Sequence, residues 1–431
     1  MKTFIKYLLI LGIVILSVPL AAISQISSWN QLHPKNSPSP RIAHSMASLG
    51  NGKVLLFGGN GFIDGKCCSF LNDTWIFDNR TKEWVELKPS ISLERRSNHR
   101  ICQLSEDKVL LFGGSNGETE YYDDTWLFDL KDTSWQKLDV SNHPNARSHF
   151  GLSQISENKA LLFGGRDYHY DSQRDTWIFD LDKMDWTNVI FNKYSDNLPY
   201  YLIDPMMSQI EQGKVILNGG KTESTQFYLT ETWKFELDSM KWKKLYTNGI
   251  TDSLWCSGIC GIIENKLLIF GGSNLNNFLD DTWLFDYTNL TWRKINVNEK
   301  PVARSYTSMV KLEEGNAVLF GGLTHEDRNG ETWLFSLGAD GVESNNESNE
   351  LFLYSSNNEN IRLSVILNKP SLLGIYLIDF VGNIAYVINN QIYENGISEF
   401  NIPTVKLTSG VYIIRIVVDS QVYFRKLMII K

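Results

Sequence analysis

The sequence is poor in the residues that site chemistry most often uses. Only seven histidines and five cysteines occur in 431 residues. The histidines, at 33, 44, 99, 143, 149, 169 and 325, show no pair at metal-ligand spacing, so no metal is called for. No G-x-S-x-G elbow, H-E-x-x-H or P-loop is present, and no cofactor is implied. Basic residues are also in the minority, 41 against 49 acidic, for a net charge of −8 with no long Lys/Arg cluster. That balance leaves no electrostatic footprint for nucleic acid. After the first two dozen residues no apolar run approaches the roughly 20 residues that a membrane-spanning helix needs. The odd cysteine count leaves at least one thiol free or paired elsewhere.

What is present begins with an export signal. Lys2 and Lys6 flank the start of YLLILGIVILSV, and Ala22-Ile23-Ser24 supplies small residues for cleavage, so 1–24 is expected to be a signal peptide. No cysteine follows for lipid attachment, and the expected location is secreted or on the outer cell surface.

The body of the chain is repetitive, with 42% hydrophobic and 12% aromatic content to fill a core. Gly-Gly recurs at 58/59, 113/114, 164/165, 219/220, 271/272 and 321/322, each pair closing a short apolar run: VLLF, VLLF, ALLF, VILN, LLIF and AVLF. Such runs suit strands buried on both faces. A second strand follows in every repeat, written acid-Thr-Trp-x-Phe, from Asp73, Asp124, Asp175, Glu231, Asp281 and Glu331. Trp and Phe two apart share one side of a strand, which predicts two buried rings per repeat.

Seven residues after the Phe stands another Trp, at 84, 135, 186, 242 and 292, but the sixth repeat has none. Trp29 supplies the missing register, because twelve residues separate it from Arg41 just as they separate Trp84 from Arg96. The sequence therefore predicts an all-β ring of six blades over 25–338, closed by an N-terminal strand at 28–33 that serves the sixth blade as its outer strand. The repeat of about 50 residues with Gly-Gly, an aromatic and a Trp resembles the kelch family of β-propellers. Asn218 departs from the pattern where the other repeats carry Phe.

After Leu337 the rhythm stops. Residues 339–350 read as a linker, and 351–431 alternate apolar and polar residues as in a small antiparallel β-sandwich. GIYLIDFVG (374–382), LTSGVY (407–412) and the closing RKLMIIK (425–431) look like the C-terminal sorting domain of proteins exported by the type IX system of Bacteroidetes, without the Pro-Asn-Pro near its start. The resemblance implies type IX secretion machinery as a partner. The alternative is an accessory sandwich.

A feature repeated six times builds scaffold, whereas a site needs asymmetry. Seventeen residues before Gly-Gly stand Arg41, Arg96, Arg147 and Arg304, but Leu202 and Leu254 in blades 4 and 5. The resemblance to kelch propellers puts this position on the same face as the loops after Gly-Gly, which carry Tyr121, Tyr122, Tyr168, Tyr170, Phe227 and Tyr228; Tyr200, Tyr201 and Trp255 flank the gap in the arginines. A rim of these residues would grip carboxylates and stack on sugar rings or apolar side chains, giving a monomeric binding module for an extracellular glycan or protein. The alternatives are ion pairs with a neighbouring blade, worth roughly 0–1 kcal/mol each if exposed, and a sugar-acid (sialate-type) mutarotase, for which no catalytic residue is identified. His44 and His99, three residues after an Arg, are expected to hydrogen-bond within the scaffold. Cys102 and Cys260 fall at equivalent first-strand positions, and Cys67-Cys68 sits in a loop where a vicinal bridge is open to it.

Overall fold

The computed structural model describes residues 27–63, 66–117, 119–191, 198–222, 229–249, 255–274 and 277–338, and then 352–356, 360–367, 370–379, 384–394, 396–405, 407–418 and 421–429. The expected signal peptide (1–24) and linker (339–350), with Phe227 and Tyr228, lie outside the described residues. No α-helix occurs among those described. The chain divides into two compact units, Met1–Glu343 and Ser344–Lys431.

The first unit is a six-bladed propeller of antiparallel sheets. Blade 2 shows the plan: Arg100–Gln103 lies innermost, followed outward by Lys108–Phe112, Thr125–Asp129 and Ser134–Lys137. The innermost strands of successive blades pack side by side, and Ser308–Glu313 of blade 6 packs back on Ser45–Leu49 of blade 1, which closes the ring. Blade 6 takes its outer strand from Ser28–Leu32, which pairs antiparallel with Thr332–Ser336 and sets Trp29 opposite Phe335.

The unbroken apolar runs follow from this packing. Val109, Leu110, Leu111 and Phe112 are all fully buried because a neighbouring blade covers each face of their sheet. The Gly pairs are required at the end of the run: Gly114 has φ +95, and a Cβ there would lie 2.7 Å from His99 Cβ and 2.8 Å from the Ser97 carbonyl. The same turn carries a bond between blades. Gly114 N–H donates to the Arg147 carbonyl of the next blade (2.9 Å), Gly59 to Arg96 (2.9 Å) and, across the closure, Gly322 to Arg41 (3.0 Å).

Outer-strand tryptophans fasten each blade to its predecessor. Trp135 Nε1 donates to Thr74 Oγ1 at 3.1 Å, and Trp186, Trp242, Trp29 and Trp84 donate to Thr125, Thr176, Thr282 and Thr332 at 3.0 Å. Each ring also meets the Phe that ends the preceding apolar run, as in Phe57–Trp135 (5.3 Å) and Phe270–Trp29 (4.9 Å). The Thr of Thr-Trp is thus an acceptor between blades. The Phe of the same motif is fully buried in all six blades. The Trp of the motif is buried in blades 4, 5 and 6, as expected, whereas Trp75, Trp126 and Trp177 are only half-buried, each with its indole N–H on the preceding Asp at 2.7 Å.

The seam between blades 4 and 5 departs from this plan. Asn218 replaces the Phe, and its Nδ2 donates to Thr232 Oγ1 (2.9 Å), the atom that Trp292 would otherwise use. Trp292 Nε1 is left buried without a partner, and its ring loses the Phe contact.

The second unit is a sandwich of a three-stranded sheet (Phe352–Ser356, Asn360–Leu367, Gly396–Pro403) and a four-stranded one (Ile384–Tyr393, Ser371–Asp379, Gly410–Val418, Gln421–Ile429). Alternate residues such as Ile361, Leu363, Val365, Ile375, Leu377, Ile414 and Ile416 fill its core. The Tyr412 hydroxyl accepts from Thr408 N–H and donates to Thr408 C=O, both at 3.1 Å, pinning the turn before its strand.

Asn218→Phe is expected to restore the ring contact and free Thr232 for Trp292. The gain should be about 1 kcal/mol, read as a higher melting temperature that Trp292→Phe in the same background reduces.

Candidate functional site

The four arginines expected to line a rim are instead fully buried. Arg96 donates from Nη1 to the Gly113 carbonyl (3.0 Å) and Asp124 Oδ1 (2.6 Å), from Nη2 to Asp124 Oδ2 (2.8 Å), and from Nε to the Glu94 carbonyl (3.1 Å). Arg41 and Arg147 grip Asp73 and Asp175 in the same two-pronged way, and Arg304 holds Glu331. Each pair lies within one blade, not between neighbours, and joins the segment before the inner strand to the Gly-Gly turn and the acid of acid-Thr-Trp. Burial pushes Asp73, Asp124 and Asp175 up, but the guanidinium bonds and charge outweigh it and hold the carboxyls below their usual range. Where Leu replaces Arg, a lysine from the outer strand takes over: Lys244 pairs with Glu231 and Lys294 with Asp281. A guanidinium with no exposed surface and committed to its own blade is not presented to a ligand.

The aromatic candidates separate into two groups. The Arg96 guanidinium carbon lies 4.2 Å from the centre of the Tyr122 ring, and Tyr122, with Tyr121, is half-buried beside the Ser115 turn. Tyr168, Tyr170, Tyr200 and Tyr201 are between 45% and 55% exposed, far more than the rest. Bridges Ser148–Arg166, Ile203–Lys221 and Trp255–Ser273 bind the segment before each inner strand to the residue after Gly-Gly, which puts these residues on one face.

Three cations missed by sequence reasoning interleave with these rings. Arg166 lies over Tyr170 (4.9 Å), Arg174 over Tyr201 (5.7 Å) and Lys221 over Trp255 (5.5 Å), while Trp255 in turn meets Tyr306 edge-on (5.3 Å). The contacts step from blade 3 to blade 6. Arg174 also donates to the Leu198 and Pro199 carbonyls, fixing the approach to Tyr200 and Tyr201. Reading down the column after Gly-Gly (Asn60, Ser115, Arg166, Lys221, Ser273, Leu323) would have disclosed adjacent cations in blades 3 and 4.

This face surrounds a central channel with a cavity of about 650 Å³, lined by all six inner strands. Just before the inner strands runs a ring of one residue per blade, Ala43, Asn98, His149, Asp204, Cys256 and Tyr306, all with φ between +51 and +59, of which Asp204 and Cys256 line the cavity. Asn98, His149, Asp204, Tyr306 and Ala43 each donate a backbone N–H to the ring residue of the preceding blade, at 2.7–3.2 Å. These bonds hold a conformation that non-glycine residues seldom adopt. Asp204 accepts from Arg100 (3.3 Å) and from the Cys256 thiol (3.4 Å). Burial above all, with the Asp204 charge, pushes the Cys256 thiol well up, so it stays protonated and a poor nucleophile.

His44 and His99 are buried between blades, edge-on to Phe320 (5.6 Å) and Phe57 (5.3 Å). Phe150 holds the equivalent place against Phe112 (5.6 Å). Of the expected hydrogen bonds only a poorly aligned approach remains, His44 to the Phe320 backbone and His99 to the Phe57 backbone. Burial, and then the nearby Arg41 or Arg96 with Arg100, holds both well below the usual histidine range. Burial also lowers His149 to about 4. Among the described residues no cluster of His, Cys, Asp or Glu could hold a metal ion.

Residues 23–201 and 206–352 match the family described as the KLHDC2/KLHL20/DRC7 Kelch-repeats domain. The chain is similar to the dynein alpha chain of the flagellar outer arm of Chlamydomonas reinhardtii, 27% identical over 55% of this chain and 6% of that protein. It is similar to the F-box/kelch-repeat protein At1g51550 of Arabidopsis thaliana, 27% over 53% and 51%, and to kelch domain-containing protein 1 of Mus musculus, 32% over 44% of each. The chain therefore spans about half or less of the length of these relatives.

Arg96→Ala should destabilise the propeller by about 3–5 kcal/mol, because it strands the Asp124 carboxylate; chemical denaturation measures the loss. The depressed histidines set an acid limb. Their stabilising effect is complete above the unfolded value of about 6.5 and is lost as pH falls toward 4, at up to about 1.4 kcal/mol per pH unit for each. His99→Phe, which copies the Phe150 packing, should reduce that slope by about one proton in denaturation series run from pH 7 to 4.5.

Proposed function

The chain belongs to the kelch-repeat family, and we propose that its propeller is a binding module that takes an acidic segment of an extracellular partner protein on the face of blades 3 to 5. The observation that carries this reading is the interleaving of Arg166, Arg174 and Lys221 with exposed Tyr168, Tyr170, Tyr200 and Tyr201 and with Trp255, in a chain of net charge −8. Cations over rings give carboxylates a charged partner and apolar side chains a stacking surface. Kelch propellers are in general protein-binding modules, which favours a protein over a glycan. A sugar-acid mutarotase would need the four repeat arginines in a pocket, and those are spent within their blades.

Export belongs to the same proposal. The leader pattern at 1–24 and the resemblance of 374–382, 407–412 and 425–431 to type IX sorting sequences support delivery outside the cell by that machinery.

The test compares the wild-type chain with an Arg166→Ala/Arg174→Ala/Lys221→Ala variant against glutamate- and aspartate-rich peptides, uronic and sialic acid oligosaccharides, and neutral glycans, by calorimetry at two salt concentrations. Acidic-peptide binding that weakens with salt and falls at least about tenfold in the variant is expected. Binding of glycans alone, or peptide binding unchanged in the variant, would overturn the assignment.

A further inference from the structure

Blade 1 carries a structural irregularity that the binding face does not use. Its second and third strands, Lys53–Ile63 and Lys66–Asp78, continue well past Gly-Gly, whereas their counterparts in blade 2 are Lys108–Phe112 and Thr125–Asp129. Near the tip of this hairpin are Cys67 and Cys68, both exposed, with their sulfurs in contact and Cys68 at φ +66. Arg328, from the loop of blade 6, places one prong on each sulfur: Nη1 lies 3.3 Å from Cys67 Sγ and Nη2 3.3 Å from Cys68 Sγ. Its Nη2 also donates to Asn60 Oδ1 (2.8 Å), and its Nη1 to Asp327 Oδ1 (3.1 Å), which fix the fork in place. The other three cysteines are buried; burial pushes Cys260 to about 12 and Cys102 higher still.

We propose that Cys67 and Cys68 are a reversible redox site, a vicinal dithiol that hydroperoxides oxidise to a disulfide under the fork of Arg328. The bond to Cys68 raises the Cys67 thiol and the Arg328 charge opposes that shift, so the fork eases loss of the proton in the step that attacks the oxidant, and exposure admits it. In the first step a thiolate attacks the peroxide, the O–O bond breaks, and a sulfenic acid forms with release of hydroxide. The neighbouring thiol then attacks that sulfur, forming the S–S bond and expelling water. In sum, two thiols and one hydrogen peroxide give one disulfide and two waters, with sulfur oxidised and peroxide oxygen reduced. Adjacent α-carbons are only about 3.8 Å apart across a trans peptide, shorter than the roughly 4.4–6.8 Å of ordinary disulfides. The link is therefore strained and easily reduced again, as labile regulatory disulfides are.

The experiment treats the reduced full-length chain with one equivalent of hydrogen peroxide, alkylates it and digests it with trypsin, which releases residues 67–80 as one peptide. The expected result is that this peptide loses two hydrogens and takes up no alkylating agent, that dithiothreitol reverses the change, and that Arg328→Ala slows it by about tenfold while Arg328→Lys slows it less. Cys68→Ser should leave a sulfenic acid, trapped by dimedone, at Cys67. Full alkylation of both cysteines after peroxide, oxidation to sulfinic acids without a disulfide, or links only between chains would each overturn the proposal. An unchanged rate in both Arg328 variants would overturn the role of the fork.

Discussion

A guanidinium with no exposed surface, gripping a carboxylate in its own blade while its backbone carbonyl accepts from the blade before, is the joint on which the propeller is built. Arg96 makes both connections at once, through Asp124 and Gly113 on one side and Gly59 on the other. The Gly-Gly turn exists in this form because it must reach that carbonyl, and the acid before Thr-Trp because it must neutralise that charge. Taking the ion pair out of water is costly, so the arrangement holds only with its donors used, which is how the structure spends them.

The repeat arithmetic made the architecture legible in the sequence. Six Gly-Gly pairs and six acid-Thr-Trp motifs specify six equivalent sheets, and an outer-strand Trp missing from the sixth repeat but present at residue 29 points to the strand that pairs with Thr332–Ser336. The chemistry of the arginines was not legible. Their acid partners lie 27 to 32 positions away, and sequence spacing does not say whether a cation meets a carboxylate or a solvent-filled rim. The exposed tyrosines were found because they interrupt the repeat. Arg166 and Lys221 were missed because they occupy a column with no conserved residue type across the blades, which carries no pattern until the turn is seen in space.

Departures from the repeat concentrate around blades 4 and 5. There Leu202 and Leu254 replace Arg, Asn218 replaces Phe, Trp292 lacks its Thr, and lysines from the outer strands neutralise the acids. The exposed rings and the cations that lie over them gather on the same side of the ring. Scaffold positions relaxed at this seam leave room for residues chosen for something other than closure.

The strand that completes blade 6 also sets the order of events by which the ring can form. Each of the other blades draws all four strands from one continuous stretch, so its contacts are local and quick to form. Trp29, by contrast, finds Thr282 across 253 positions of chain, a search whose entropy is met only after the intervening blades have folded. Until then an apolar edge is open at each end of the growing ring. A chain drawn out by its N-terminus would surrender this one strand first, stripping blade 6 of its outer edge and of the Trp29 tie to blade 5 while the seam with blade 1 still holds through Trp84 and Gly322.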